Sequence, residues 1–140
     1  MANGNIPIDK LIKMRHKEYD LIKDTYCPFL NEVVHFNNKG FYHATHDGRG
    51  KIRGEPDARM RLHLLPCITT VIKKSTQFGN PARIIPKNDS NNKTNCELIF
   101  YELCYKFNQH KTVSVILRKQ GNGNLHYFSV RYAKKQNRPR

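Results

Sequence analysis

The sequence predicts an α+β fold, with N-terminal helices packed on a four- to five-stranded antiparallel sheet supplied mainly by the C-terminal third. Two observations carry this. Apolar residues at helical spacing, with start and stop signals, fill residues 8–26 and 55–74, whereas runs with a two-residue period fill about 97–107, 112–119 and 125–132. Only short turn sequences separate the later runs, Asn108-Gln109-His110 and Gly121-Asn122-Gly123, as a meander requires.

The elements follow in order. Residues 1–7 form a loose lead-in, and Asp9 is placed to cap a first helix reaching about Tyr26, which Pro28 stops. Residues 32–36 and 41–45 are short β-rich runs joined by Asn37-Asn38-Lys39-Gly40, so a hairpin is expected in which His43 and His46 point to opposite faces. The glycine-rich loop Asp47–Gly54 brings Arg49, Lys51 and Arg53, together with free backbone amides, within reach of phosphates. Pro56 and Asp57 open the next helix, and Pro66 should kink or restart it. Residues 76–95 form a long polar loop with a short strand at about Ala82–Ile85. In the meander, Val113, Val115 and Leu117 are core. Strict alternation sets Phe128 and Val130 towards the helices and leaves Arg118, Tyr127, Ser129 and Arg131 on an exposed face.

With 140 residues, one domain over 8–133 is expected, followed by a basic tail at 134–140. The 25 Lys and Arg residues against 11 Asp and Glu give a net charge of +14, which favours a polyanionic partner, nucleic acid first and an anionic membrane surface second. No apolar run is long enough to span a bilayer and the first 30 residues lack a cleavable apolar leader, so a cytoplasmic protein without a membrane partner is expected. Cys27, Cys67, Cys96 and Cys104 have no paired spacing and suit free thiols.

Residues 33–74 concentrate His35, His43, His46 and His63 among Lys39, Arg49, Lys51, Arg53, Arg59 and Arg61. His43-x2-His46 with His63-x3-Cys67 offers four zinc-type ligands, but strand alternation splits the first pair and Pro66 disturbs the second, so no metal or other cofactor is expected. Arg49, Lys51, Arg59, Tyr127 and Arg131 are candidate RNA-binding residues, the arginines and lysine for phosphates and the tyrosine for base stacking. His126 is read as a core histidine, with a second proton carrier as the alternative.

The segments GFYHATHDGRGKIR, ARMRLHLLP and NLHYFSVRY, in that order, resemble the barnase, EndoU, colicin and RelE-like (BECR) superfamily, closest to its small members in phage and mobile-element genomes. The resemblance covers roughly residues 30–133. It implies helices on an antiparallel sheet and a metal-independent endoribonuclease, often toxin-like. It further implies that His43 is an acid or base, that Arg53, Arg61 and Arg118 hold phosphate, and that Ser129 hydrogen-bonds a phosphate oxygen. A carboxylate base is not obvious, with Glu55, Glu97 and Glu102 at plausible places. Toxin-like members imply an acidic immunity or antitoxin partner. The alternative is a non-catalytic basic protein that binds nucleic acid or the ribosome.

Overall fold

The computed structural model describes residues 6–87 and 96–134 and has the expected α+β architecture. Residues 1–5 of the lead-in, 88–95 of the polar loop and 135–140 of the tail lie outside the described residues.

Helix α1 spans Ile8–Asp20, with Pro7 at its N-cap and Asp9 in its first turn, where a carboxylate meets the positive end of the helix dipole. It is shorter than its apolar stripe suggests. Thr25–Cys27 leaves the helix to become strand β1, whose buried-exposed-buried pattern seats Cys27 in the core. The turn at Pro28–Asn31 reverses the chain, with Asn31 in the left-handed region at φ 54°, into β2, Glu32–His35, antiparallel to β1.

The expected second strand at 41–45 is a helix. Asn37 does not turn a hairpin; its side chain accepts a hydrogen bond from the Gly40 amide at 3.2 Å and caps α2, Asn38–Thr45. The apolar positions fit the helical period, since Gly40, Phe41 and Ala44 are all buried on one side. Gly40 supplies proximity here and no turn: a Cβ would lie 2.5 Å from the Tyr19 hydroxyl and 3.0 Å from the Tyr127 carbonyl oxygen.

Helix α3, Glu55–Leu64, begins with Pro56 in its first turn as expected. Pro66 then forces a 3₁₀ turn at Leu65–Cys67 before α4 restarts at Ile68–Lys74. After β3, Gln77–Phe78, and β4, Arg83–Lys87, come the three long strands β5, Cys96–Asn108, β6, Lys111–Gln120, and β7, Leu125–Tyr132.

The described residues form a sheet of seven strands, more than the expected four or five, with β1 and β3 as short strands beyond those expected. The order is β1-β2-β7-β6-β5-β3, with β4 also on β5, and every pairing is antiparallel except β2 with β7. One face carries Leu103, Val113, Val115, Leu117, Leu125, Tyr127 and Val130 into a core shared with Leu11, Leu62, Ile68 and Ile72 of the helices. Cys27, Cys67 and Cys104 are free buried thiols. No helix among the described residues is long and apolar enough to cross a membrane.

A β-bulge changes the faces of β7. Ile116 pairs with Ser129 but Leu117 pairs with Tyr127, so Phe128 is the extra residue. The slip turns Leu125 and Tyr127 to the core beside Val130, and Tyr127 is only 2% exposed. The expected exposed position of Tyr127 is thereby overturned. His126 is displaced in the other direction, to the face away from the helices, where it lies opposite Arg118.

Gly40 gives a direct check of the α2 packing. Gly40→Ala should lower stability by about 1–3 kcal/mol, as overpacked sites do, despite the better helix propensity of Ala. Urea unfolding measures it, and an unchanged or higher midpoint would contradict the close approach of α2 to β7.

Candidate active site at the β7 edge

Strand β2 pairs with β7 only at Leu125 and His126, so the rest of that edge of β7 is left to α2 and α3. At this edge a chain of contacts joins four of the five residues implied as catalytic. Arg53 Nε donates to the His43 carbonyl oxygen at 2.9 Å, and Arg53 Nη2 lies 3.2 Å from His43 Nδ1. Arg53 Nη1 donates to Asp57 Oδ2 at 3.0 Å, Arg61 Nε donates to Asp57 Oδ1 at 2.9 Å, and Arg61 Nη1 donates to Ser129 Oγ at 2.8 Å. The fifth, Arg118, approaches through Phe128: its Cζ lies 5.2 Å from that ring centroid, and the His43 ring centroid lies 4.2 Å from the same ring.

The three arginines differ in what they are free to do. Arg53 and Arg61 have side chains only 9% and 14% exposed and share the Asp57 carboxylate. That pairing is what allows two like charges to sit so deep, since a buried guanidinium without a counter-charge is strongly unfavourable. Burial of Asp57 works against its ionisation, but hydrogen bonds and charge from Arg61 and then Arg53 outweigh it and hold the carboxyl below its usual range. Arg118 is different. Among the described residues its only side-chain partner is the face of Phe128, so its charge has no counter-ion.

His43 sits at the meeting point of these charges. Burial first, and then the guanidiniums of Arg53, Arg61 and Arg118, push its pKa from 6.5 down to about 4, with Asp47 opposing weakly. The ring is therefore neutral at neutral pH. With Nδ1 accepting from Arg53, the proton is assigned to Nε2, a buried atom that has no hydrogen-bond partner among the described residues.

The candidate RNA-binding residues are dispersed. Arg49 and Lys51 are exposed on the loop after α2, but their amides are not free for phosphate: both donate to Asp47 Oδ1, at 2.8 and 3.0 Å. Arg59 points away from Arg61, bonding the Ile6 carbonyl and Glu55. Tyr127 is sealed in the core, and burial raises its phenol well above the usual value. Arg131 lies on the face away from the helices and pairs with the buried Glu102 at 3.0 Å.

Three residues matter more than the sequence reading allows. Asp57 is legible in retrospect from Arg53-x3-Asp57-x3-Arg61, two opposite-charge pairs at i,i+4 spacing. Phe128 and His126 depend on the bulge, for which the sequence carries no signal. His126 joins Arg118, Lys39 and a group of amide side chains around a cleft of about 710 Å³ at the β6–β7 turn. The zinc-type residues do not assemble, and no group of three or more metal-ligating side chains occurs among the described residues. None of Glu55, Glu97 and Glu102 belongs to the His43 network: Glu55 pairs with Arg59, Glu102 with Ser114, Asn80 and Arg131, and Glu97 is exposed.

The depressed His43 pKa has a signed consequence. The unfolded chain takes up this proton near pH 6.5 but the folded chain only near 4, so His43 contributes stability that is intact above about 6.5 and lost as the pH falls towards 4. His43→Gln removes that titration. The difference in urea midpoint between wild type and variant should shrink from neutral pH to about 4, and a constant difference would contradict the buried, neutral ring.

Comparison of the chain with protein-family models, with curated proteins and with solved structures finds no match.

Proposed function

We propose that the protein is a metal-independent endoribonuclease of BECR-like type. The observation that carries this reading is the gathering of His43, Arg53, Arg61, Arg118 and Ser129, from two helices, a loop and two strands, around one edge of β7. A neutral histidine beside an uncompensated guanidinium is the minimum that cleavage by the neighbouring 2′-hydroxyl requires. The 2′-oxygen attacks phosphorus as its proton passes to Nδ1 of His43, the ring's one lone pair, which Arg53 Nη2 gives up to the incoming hydroxyl. The P–O5′ bond breaks and the products are a 2′,3′-cyclic phosphate and a 5′-hydroxyl. Arg118 binds the phosphate and stabilises the added negative charge. An anion there offsets the guanidiniums that depress His43, raising its affinity for a proton when substrate is bound.

In this reading Arg53 and Arg61 are positioning residues, because Asp57 already holds both. Arg53 orients His43 and Arg61 fixes the Ser129 hydroxyl. His126, opposite Arg118 on the next strand, supplies the proton to the leaving oxygen. The +14 charge suits RNA and also an acidic inhibitor protein.

One observation favours a second reading, a non-catalytic RNA- or ribosome-binding protein: Nε2 of His43 is buried and Nδ1 is occupied by Arg53. Incubation with RNA in excess chelator separates the two. Fragments ending in 2′,3′-cyclic phosphate, with His43→Ala and Arg118→Ala each reducing the rate by about 100-fold or more, are expected of the nuclease. Salt-sensitive binding without fragments would establish the binding protein instead.

A further inference from the structure

The register of the three long strands and β4 sets four residues side by side in a single row across the sheet. His126 on β7 lies opposite Arg118 on β6, Arg118 lies opposite Phe100 on β5, and Phe100 lies opposite Arg83 on β4. The row is on the face turned away from the helices and spans about 14 Å, three inter-strand spacings. Cations and aromatic faces alternate along it. Arg83 Cζ is 5.1 Å from the Phe100 ring centroid, Phe100 meets Phe128 edge to face at 5.3 Å, and Arg118 lies over Phe128. Each end opens into a depression: the 710 Å³ cleft beside His126 and Lys39, and one of about 230 Å³ beside Arg83, Arg131 and Lys134.

We propose that this row is the track for the substrate strand, and that the substrate is single-stranded RNA lying across β7, β6, β5 and β4, with unpaired bases on Phe128 and Phe100 and phosphates on Arg118 and Arg83. The inference rests on the ribonuclease reading for the polarity of its centre, since it puts the phosphate next to His43 at Arg118. Its binding component stands without that reading. Single strands are selected because a base must leave its partner to lie on a phenyl ring, and stacking of this kind tolerates any base. Neither Arg83 nor Arg118 has a carboxylate partner among the described residues, so each can leave its aromatic ring for a phosphate and expose the ring to a base. Arg131 differs, being held by Glu102, and marks the margin of the track.

The test uses 2′-O-methyl RNA of about a dozen nucleotides, which cannot be cleaved, alone and annealed to its complement, with binding read by fluorescence anisotropy. The single strand should bind at least about tenfold more tightly than the duplex. Arg83→Ala should weaken single-strand binding and reduce the salt slope by about 0.7, and Phe100→Leu should weaken it on the order of fivefold with the salt slope unchanged. Lys13→Ala on α1 removes the same charge elsewhere and should change affinity less than either. Equal affinity for single strand and duplex, or an Arg83→Ala protein with native circular dichroism that binds like Lys13→Ala, would overturn the track. If Phe100→Leu unfolds, the exposed Arg83 carries the test alone. Selective binding without cleavage of ordinary RNA would retain the track and remove the nuclease reading; cleavage with equal single-strand and duplex binding would do the reverse.

Discussion

The Asp57 carboxylate, with one oxygen on Arg53 and the other on Arg61, is the interaction on which this edge of the molecule depends. Through Arg53 it reaches the His43 backbone and ring, and through Arg61 it reaches Ser129 and the Val130 carbonyl. A single acidic side chain in the first turn of α3 therefore ties α2, the loop after it, α3 and β7 together. Its position at the helix N-terminus adds a favourable dipole to two cationic partners. Without it, two guanidiniums largely withdrawn from water would repel one another, and the contacts that fix the histidine and the serine would be lost with them.

The electrostatics divides the arginines by role. Those bound to Asp57 shape the site, whereas Arg118 has no carboxylate partner among the described residues and lies over the Phe128 ring. The same environment explains why His43 is neutral: burial and three nearby positive charges all disfavour the imidazolium, and only Asp47 favours it. An anion placed at Arg118 would offset part of that positive charge and raise the proton affinity of His43. The same positive charge that would favour an anion also keeps the imidazole neutral.

The extra residue at Phe128 governs the other half of the arrangement. By changing the phase of β7, it sends Tyr127 into the core and brings His126 to the side of Arg118. It also leaves the Phe128 ring between His43 and Arg118, where it is both a packing surface for the histidine and a seat for the guanidinium. A regular strand would have exposed Tyr127 and buried His126, which is the pattern that strict alternation predicts. Bulges at sheet rims re-aim side chains in this way, and the local sequence around Phe128 contains neither Gly nor Pro to announce one.

Much of the architecture was written in local sequence. The helix from Glu55, its restart after Pro66, the three long strands and the β4 strand follow from prolines, apolar period and short turns, all of which act within a few residues. The residues now gathered around His43 were also visible as an unusual mixture of His and Arg. The tertiary structure decided the rest, for reasons of long-range pairing. Asn37-Asn38-Lys39-Gly40 is compatible with either a hairpin turn or a helix cap, and the helix prevails because Gly40 can press against Tyr19 and Tyr127, residues remote in sequence. Which arginine is free and which is bound depends on Asp57 meeting both partners in space. The row His126–Arg118–Phe100–Arg83 exists only through strand register, which no single segment of the sequence specifies.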